Sequence, residues 1–527
     1  MFEVSCKPRY AERCFSMFSY LFYLVAQVQK SPLTALIKSI LLLMLVVVPL
    51  SFTHRTPASE DLKALLLSSL TAACATLWLL RGAWHGSWLL PDKGVLSALL
   101  CTVLIGALSL SWSSAPHATL AEIWRVCVLA LLFLVSCSVS EAGFARSFCL
   151  TVSLVAVLLS VYGILQRLGL DPLVWQNVPR GRVHSFCGHP NILASVLVFS
   201  IPITLCALEH SATRSQAWLQ RTCLFFQAAC LFFTVSRAGW LAAIAALVFY
   251  FYFRRRHKEM LPITSGLAPL LAGVVAAAVY GPGVDPLMTD PSKAPAISLE
   301  TRQLIWRGAA DMISSQPLLG YGAGSFNSVF PEFRPLNFGE VNPRINVLHA
   351  HSELLEQTAE TGVAGCVAFL AFLFLTLRMG WRSLQENTAE SGWFSGLLSG
   401  GAGLIIHGMF DVTLRFALPS ALLWMTLGLL ARSPTSPVQL SLQRAPALIC
   451  ASLLSVLLAL GTLRLTLFPY LSLIEQQHGA MLKERAEWER AADVFARAAQ
   501  IYPANSDAHY ERAVCLVELE RYGDALK

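Results

Sequence analysis

The sequence predicts an all-α integral membrane protein, and three features of its composition and pattern support that fold class. Of 527 residues, 55% are hydrophobic and 13% are charged, and the mean hydropathy is +0.58; a soluble chain carries roughly 25% charged residues. Apolar runs recur along the chain, and most could cross ~30 Å of hydrocarbon as a helix. One long polar loop, 281–352, interrupts these runs, and a charged tail, 475–527, follows them. The chain therefore divides into an N-terminal segment (1–32), a polytopic membrane domain (33–470) and the tail.

The apolar runs predict about thirteen transmembrane helices, with the long loop between the ninth and the tenth. The predicted spans are 33–52, 62–80, 95–112, 120–139, 148–168, 192–208, 217–234, 239–253, 261–280, 363–377, 394–409, 417–431 and 447–467. Residues 1–30 lack a compact apolar core followed by a small-residue cleavage site, so we expect no cleavable signal peptide.

The placement of Lys and Arg predicts the topology of these spans. Basic residues concentrate in alternate loops, which the positive-inside rule assigns to the cytoplasm together with the N-terminus. The residues concerned are Lys7, Arg9, Arg13, Lys30, Arg81, Lys93, Arg146, Arg214, Arg254, Arg255, Arg256, Arg378, Arg382, Arg432 and Arg444. The opposite, extracytoplasmic side then receives the loop 281–352 and the tail. Because the basic residues are dispersed, the net charge of +7 does not indicate a nucleic-acid partner.

The cysteine pattern predicts neither a metal site nor a disulfide framework. Most of the fourteen cysteines fall within predicted spans, where Cys behaves as a small apolar residue. Cys187 and Cys515 are the two that fall clearly on the predicted outer side. The sequence has no CxxC and no His/Cys metal spacing, so we expect no metal and no cofactor.

The tail resembles a tetratricopeptide repeat. Small residues at Ala492 and Ala498, aromatic residues at Trp488 and Phe495, and a closing Pro503 follow the pattern of such a repeat. Stacked repeats need neighbours to bury their apolar faces. The tail therefore packs on the membrane domain, or takes a protein partner, or belongs to an array that is cut short. The alternative is an exposed helical hairpin that caps the last span.

Two polar stretches on the predicted outer side each carry an arginine. Arg182 precedes the sixth span, and its guanidinium can form paired hydrogen bonds with phosphate oxygens. Pro190 and Asn191 follow it and would begin a helix, whose free N–H groups favour an anion. Arg237 lies in the short turn between the seventh and eighth spans. The alternative for both arginines is contact with lipid headgroups at the membrane boundary.

The long loop contains a predicted amphipathic helix near residues 301–313. Arg302 lies four residues before Trp306 and shares its inward face, whereas Arg307 is about 140° away, at ~100° per residue. We expect Asp311 to pair with Arg307. Arg302 is therefore the better site residue; the alternative is that both belong to a solvated loop helix. A glycine-rich turn, 317–324, follows and would let the backbone approach a ligand closely.

Two histidines stand at the end of the long loop. His351 precedes Ser352, a good N-cap, and the partial positive charge of a helix start disfavours the imidazolium. A neutral imidazole there could accept a proton from a hydroxyl group. His349 is the competing residue, in chain that we expect to be irregular and not tied to the helix start. Glu353 and Glu356 either orient an imidazole or are only first-turn acids.

Together these stretches resemble the O-antigen ligase superfamily, which includes lipopolysaccharide ligases, O-antigen polymerases and bacterial protein O-oligosaccharyltransferases. The resemblance covers about residues 150–430 and depends on the order of the motifs and their outer placement. The residues that carry it are Arg182, Gly188-His189-Pro190-Asn191, Ser236-Arg237, Arg302, Trp306, Pro317, Gly320, Gly322, Gly324, Phe326, His351-Ser352, Glu360, Gly362 and Gly365. His407 and Asp411 resemble a weaker family feature. The chain departs from the family at His184-Ser185, where Gly followed by a small residue is more usual.

The resemblance implies a metal-independent glycosyltransferase of lipopolysaccharide and cell-envelope biosynthesis. Its donor would be a glycan on an undecaprenyl-diphosphate carrier, and its acceptor a hydroxyl of a glycan, lipid or protein. By this resemblance Arg182 and Arg302 bind the diphosphate, Arg237 supports them, and His351 is the catalytic base. Arg307 and His349 are the further substrate-binding candidates. The protein would be a multi-pass protein of the bacterial inner membrane whose active site faces the periplasm or cell exterior.

The residues are consistent with this chemistry even without the resemblance. A leaving diphosphate can be neutralised by two or three arginines, and the acceptor hydroxyl needs a base within hydrogen-bond reach. A transporter of lipid-linked glycans is the first rival, but it would favour internal repeats and ionisable residues at mid-bilayer depth, whereas Lys38, Glu122 and Arg125 are isolated or near span ends. A scaffold that presents its tail is the second rival, and it leaves the arginines and histidines unexplained.

Overall fold

The computed structural model shows an all-α membrane protein. It describes residues 32–53, 59–173, 175, 181–255, 262–280, 299–341, 347–385, 392–431 and 438–526. The predicted cytoplasmic segment up to residue 31, and residues 281–298 and 342–346 of the predicted loop, lie outside the described residues.

Each of the thirteen predicted spans coincides with a helix. Before the long loop these helices are α1 (Pro32–Leu50), α2 (Ser59–His85), α3 (Lys93–Leu108), α4 (Pro116–Ser138), α5 (Ala142–Arg167), α6 (Pro190–Glu209), α7 (Arg214–Phe233), α8 (Arg237–Arg254) and α9 (Ile263–Tyr280). The loop itself forms α10 (Leu299–Ser315), α11 (Phe326–Phe333) and α12 (Phe338–Val341). After it come α13 (Glu353–Gln385), α14 (Gly392–Met409), α15 (Ala417–Leu430) and α16 (Arg444–Thr462), and then the tail helices α17 (Phe468–Glu484), α18 (Trp488–Ile501), α19 (Ser506–Glu518) and α20 (Tyr522–Ala525).

Eight helices in the described part of the chain are long and apolar enough to cross a membrane. Two shorter apolar helices, α9 and α15, add to them. The helices α7, α8 and α14 are not in either group, so the predicted number of thirteen spans stays a prediction. Leucines with about 60% exposure, such as Leu271 of α9 and Leu453 of α16, face outward where lipid would cover them.

Two helices occupy the centre of the membrane domain. Every residue of α15 is buried, as is every residue of α6 before its terminal Glu209. The helix α14 packs closely along α6 because glycines stand at the contact: a Cβ on Gly400 would lie 2.7 Å from the Phe199 carbonyl oxygen, and one on Gly403 would lie 2.8 Å from Val198. Both central helices begin at the same end of the domain, which directs their N-terminal N–H groups there.

That end collects the predicted outer loops. The buried Lys63, near the start of α2, donates to the Phe186 carbonyl before α6 at 2.7 Å, and Glu60 accepts from the N–H of Ala417 at the start of α15. Ion pairs at the other end join Lys38 to Glu141 and Arg254 to Glu209. The alternation of loops predicted from the basic residues is therefore present in the fold.

A short sheet at this second end was not predicted from the sequence. The strands β1 (Ser87–Leu90) and β2 (Val438–Ser441) pair antiparallel, with Ser87 opposite Ser441 and Leu90 opposite Val438. Each strand is only four residues long, too short for a reliable alternation pattern. The sheet ties the loop after α2 to the loop before α16.

The glycine-rich turn packs against a break in α13. Gly362 has φ +66° and interrupts that helix, and the turn supplies the backbone hydrogen bonds that the helix loses there. The N–H of Gly322 donates to the Glu360 carbonyl at 2.8 Å, and the N–H of Val363 donates to the Pro317 carbonyl at 2.9 Å. The close backbone approach expected of these glycines is therefore made to α13, within the fold.

The tail folds as successive antiparallel helices. A π-helical turn, Leu463–Leu467, connects α16 to α17, and the small core between α17, α18 and α19 includes Leu482, Phe495 and Cys515. Asn505 bonds back to Ser472 at 2.9 Å and to Gln476 at 3.0 Å. The tail thus packs on a helix continuous with the last predicted span, and its assignment as a tetratricopeptide repeat stays a prediction.

Candidate active site at the ends of the central helices

Asp411 is the centre of a buried polar cluster at the end of α14. It is 3% exposed and accepts hydrogen bonds from the N–H of Val412 at 2.9 Å and from the Asn191 amide. Its carboxylate lies 3.4 Å from His351 Nδ1 and 3.8 Å from Arg302 Nη2. One carboxylate therefore brings together three segments that are far apart in sequence.

Arg182 joins this cluster through Asn191, at the start of the central helix α6. Its Nη2 donates to the Asn191 side-chain oxygen at 2.7 Å, and its Nε donates to the Thr234 carbonyl at 2.8 Å. Burial and the neighbouring Arg302 lower the pKa of Arg182 to about 10, although Asp411 opposes the shift. Arg182 is therefore positively charged at neutral pH and is held rigidly at two of its nitrogens.

Arg302 reaches the cluster from the first turn of α10. Its Nη1 donates to the Phe410 carbonyl at 2.8 Å. The Nε of Arg302 is buried, and no partner for it exists among the described residues. The prediction that Arg302 faces inward is confirmed, and the guanidinium keeps a buried donor that a bound anion could satisfy.

His351 stands immediately before α13. Its backbone is left-handed, with φ +50°, and the N–H of Glu356 donates to the Ser352 carbonyl at 3.0 Å, which makes Ser352 the first residue of the helical hydrogen-bond pattern. The indole Nε1 of Trp306 donates to the Ala350 carbonyl at 3.0 Å. The segment that carries His351 is thus fixed to both α13 and α10.

The negative charge of Asp411 determines which nitrogen of a neutral His351 ring carries the proton. Burial alone would raise the pKa of Asp411, but the hydrogen bond from His351 and the charges of His407, His351 and Arg302 lower it below its usual value. An ionised Asp411 accepts from Nδ1–H of His351. In a neutral ring this leaves Nε2 with its lone pair free to take a proton.

His349 belongs to a different cluster, which corrects the expectation that its ring is not tied to the start of α13. Its Nδ1 lies 2.8 Å from Glu356 Oε1, and the N–H of Ala350 donates to Glu356 Oε2 at 2.7 Å. Glu356, which lies in the first turn of α13, therefore orients His349. Of the two alternatives left open for these acids, Glu356 orients an imidazole, but it is that of His349; the carboxylate next to His351 is Asp411.

The second cluster centres on Arg415, which the sequence analysis did not single out. Its guanidinium lies within 4 Å of four glutamates. They are Glu122 at 3.4 Å, Glu353 at 3.3 Å, Glu356 at 3.7 Å and Glu360 at 2.9 Å. Arg125 also pairs with Glu122, at 2.6 Å. Glu122 and Arg125, which the sequence showed only as charges that are isolated or near span ends, are therefore part of one buried network.

Two predicted site residues lie away from the buried clusters. Arg237 begins α8 and is exposed, and Arg307 is exposed on the outer face of α10. Within the described chain neither side chain makes an ion pair, so the expected pair between Arg307 and Asp311 is not formed. The three residues that the structure brings together around Asp411 are Arg182, Arg302 and His351.

Two other loop histidines stabilise the segment that carries Arg182. His189 caps α6, because its Nδ1 accepts from the N–H of Asn191 at 3.2 Å, and burial lowers its pKa to about 4. Burial also lowers the pKa of His184, whose Nδ1 lies 2.9 Å from the Ser185 carbonyl oxygen. Both rings are therefore neutral at neutral pH.

The Asp411 cluster can bind an anion and accept a proton within one site. Two guanidiniums offer donors, the N-terminus of α6 adds a partial positive charge, and His351 offers a lone pair. Among the described residues, no group of three or more His, Cys, Asp or Glu side chains is arranged to hold a metal ion.

Comparison with known proteins gives one family. Residues 222–370 match the family model described as O-antigen ligase, and a search of curated proteins found no match. The matched segment includes Arg302 and His351, whereas Arg182 and Asp411 lie outside it. It confirms, over these residues, the resemblance predicted from the sequence.

Proposed function

We propose the following reaction for this protein. The match of residues 222–370 supports a membrane enzyme of the O-antigen ligase and polymerase family. The protein transfers a glycan from an undecaprenyl-diphosphate carrier to an acceptor hydroxyl on the extracytoplasmic side of the membrane. The observation that carries this proposal is the buried Nε of Arg302, which has no partner among the described residues, in a cluster that also holds Arg182 and His351. A buried donor of this kind supports an anionic ligand.

The diphosphate binds between the two guanidiniums. Arg182 is fixed by Thr234 and Asn191, and Arg302 by Phe410, so little rotamer freedom is lost when the anion binds. As the bond between the sugar and the diphosphate breaks, negative charge develops on the leaving oxygen. Arginines that are already in place stabilise this charge more strongly than mobile ones would. The apolar outer surface of the domain suits the polyprenyl chain.

His351 is the base. The acceptor hydroxyl gives its proton to Nε2 while its oxygen bonds to the sugar carbon, and the electron pair of the broken bond leaves with the diphosphate. Asp411 holds Nδ1–H and stabilises the imidazolium that forms. Both ring nitrogens of His351 then carry a proton, and release of the Nε2 proton to water returns the ring to its neutral form.

The same geometry serves an O-antigen ligase, an O-antigen polymerase and a protein O-oligosaccharyltransferase, which differ in their acceptors. We place the enzyme in the bacterial inner membrane, with the Asp411 cluster facing the periplasm. The helical tail lies near that end, because Tyr470 is close enough to the start of α2 to interact with Asp61. It is therefore positioned to meet a protein partner or acceptor. A lipid-linked glycan transporter would instead move the donor without consuming it.

Purified protein, incubated with a lipid-diphosphate glycan and candidate acceptors, tests the proposal. We expect Arg302→Ala to abolish transfer. Arg302→Lys should rescue poorly, because lysine keeps the charge but loses the planar pair of donors. Arg307→Ala is the matched control on the exposed face of the same helix, and it should retain most activity. Equal losses in the two alanine variants, with normal expression, would contradict the assignment of Arg302.

A further inference from the structure

The cluster around Arg415 carries more negative than positive fixed charge. Its glutamates come from two helices, Glu122 from α4 and Glu353, Glu356 and Glu360 from α13, and all four are more than 85% buried at the side chain. Arg415 and Arg125 supply two positive charges. Although Arg415 contacts all four glutamates, the two arginine charges balance only two of the four carboxylates.

His349 can supply a third positive charge when its ring is protonated. Burial alone would lower the pKa of His349, but its hydrogen bond to Glu356 and the charge of that carboxylate raise it above its usual value. Even with His349 protonated, four carboxylates face two guanidiniums and one imidazolium, which leaves at least one negative charge without a fixed partner among the described residues. An uncompensated charge is costly in a buried environment.

The unmatched oxygen can be identified. Glu353 Oε1 lies 3.3 Å from Arg415, whereas Glu353 Oε2 is buried and has no partner among the described residues. Glu353 is 7% exposed. In contrast, Glu360 uses one oxygen for Arg415 and the other to accept from the N–H of Phe326.

A small cavity lies beside Glu353. Its volume is about 50 Å³, enough for a few water molecules or a small hydrated ion. Polar atoms from three helices line it, and the rest of its wall is apolar. The polar lining residues are Thr102, Glu122, Arg125, Glu353, Gln357, Glu360 and Thr361.

We propose that this cavity is a binding site for one small positive charge, held as a proton on Glu353 or as a monovalent metal ion beside it. Protonation makes Glu353 Oε2 a donor to water in the cavity, and a bound ion would instead be coordinated by the same oxygen. Either form balances the cluster. The inference does not depend on the proposed transfer reaction, because it follows from the charges and the unpartnered oxygen.

Charged and titratable groups face Glu353 from several of the elements that pack around it. The helix α4 contributes Glu122 and Arg125, the turn Thr413–Arg415 contributes Arg415, and α13 contributes Glu356 and Glu360. The helix α14 packs there through Gly408, next to His407. The linings from α3 and α15 carry no charged group within the described residues.

Thermal unfolding of the purified full-length protein tests the site. Melting temperature is measured from pH 5.5 to 8.5 in sodium, potassium or N-methyl-D-glucamine chloride at equal ionic strength, for wild type and Glu353→Gln. The substitution keeps the shape and removes the unmatched charge, so the variant needs no added cation. We expect the wild type to lose stability relative to Glu353→Gln as pH rises, since a site that binds a proton more tightly when folded loses that stability on deprotonation.

The salts distinguish the two forms of the site. If the difference in melting temperature between wild type and Glu353→Gln varies with pH but is equal in all three salts, the site binds a proton. A wild type stabilised by sodium or potassium but not by N-methyl-D-glucamine, with an unresponsive Glu353→Gln, indicates the metal ion. The matched control is Glu356→Gln, whose oxygens are all engaged, and it should lower the melting temperature in every condition. Parallel wild-type and Glu353→Gln curves throughout, or a Glu353→Gln protein that fails to fold, would overturn the proposal.

Discussion

Asp411 contacts both His351 and Arg302. In the proposed reaction the same carboxylate would therefore support proton transfer to His351 and compete with the donor diphosphate for the arginines. A substitution that keeps its shape but removes its charge should separate these effects.

We predict that Asp411→Asn loses transfer while binding the lipid-diphosphate donor at least as tightly as wild type. The asparagine cannot stabilise the imidazolium of His351, and loss of base catalysis costs typically ~10²–10⁴ in rate. Without the negative charge of the carboxylate, the two arginines attract phosphate more strongly. Donor binding and transfer rate, measured on the same preparation, check this. Weaker donor binding with an unchanged rate would show that Asp411 serves only to hold the arginines.

The two histidines should fail differently. His351→Ala should bind donor but not transfer it, with a loss of ~10²–10⁴ in rate. His349→Ala should transfer more than His351→Ala and should melt at a lower temperature than wild type, because Glu356 loses its partner. Normal transfer by His351→Ala would remove it as the base.

The stability contributed by His349 should depend on pH. Since its pKa is raised in the folded state, the contribution is complete below the usual histidine value near ~6.5 and is lost as pH rises through the raised value. The difference in melting temperature between wild type and His349→Ala should therefore shrink from pH 6 toward pH 9. A difference that is constant over this range would show that the ion pair with Glu356 contributes nothing.

The two arginines and the histidine of the candidate site were recognisable in the sequence, as were Asn191 and Asp411, but the contacts between them were not predicted. Arg182, Arg302 and His351 were recognisable because charged groups in outer loops of an apolar chain stand out. Arg415 was missed, and its glutamates were noted only one by one, because each is unremarkable alone in sequence and their pairing depends on Arg415, which bridges α4 and α13 in the fold. The sequence alone does not reveal which carboxylate an arginine contacts.

Among the elements, the broken helix α13 and the glycine-rich turn form one unit. The turn supplies backbone partners to α13 at the break, and Phe326 at its end bonds to the Glu360 carboxylate at 3.3 Å. The break therefore sets where Glu360 meets Arg415. The glycines were recognisable in the sequence, but we expected their conformational freedom to let the backbone approach a ligand. Backbone pairing between distant segments leaves no local sequence pattern, so the contact with α13 was not predicted.

We predict that Gly362→Ala destabilises the protein. The left-handed φ of Gly362 is strained for alanine by about 1–3 kcal/mol, and its Cβ would overlap the Leu318 carbonyl. Gly106→Ala is the control, since a Cβ at Gly106 of α3 meets nothing within 4 Å and alanine favours a helix. Melting temperatures in detergent decide: similar values for the two variants would mean that the turn can move away from α13 without cost.

For the whole molecule, the apolar runs predicted where helices lie, because a helix that faces protein and a helix that faces lipid are both apolar; the number of membrane spans stays a prediction. Their arrangement was not predictable, because α6 and α15 read like the lipid-facing spans although their residues are buried by protein. In a membrane, protein interior and lipid are equally apolar, so hydropathy cannot distinguish them.

We predict that the tail and the Asp411 cluster share the extracytoplasmic side. A reporter that is active only outside the cytoplasm should be active when fused after Ala498 in α18, and inactive when fused after Gln385, where α13 ends at the other end of the fold. A cytoplasm-specific reporter should give the reverse. Cytoplasmic activity at Ala498 would invert the topology or change the number of spans.

The wide separation of Arg182 and Asp411 in the chain has a consequence for biosynthesis. At about 5–20 residues per second, Asp411 emerges from the ribosome roughly 10–50 s after Arg182. During that interval α6 is already made, but α14 and α15, which cover it in the finished protein, are not. The face of α6 that contacts the glycines of α14 therefore lacks its final neighbours during this interval. We expect lipid or an insertion factor to cover that face until the last helices arrive.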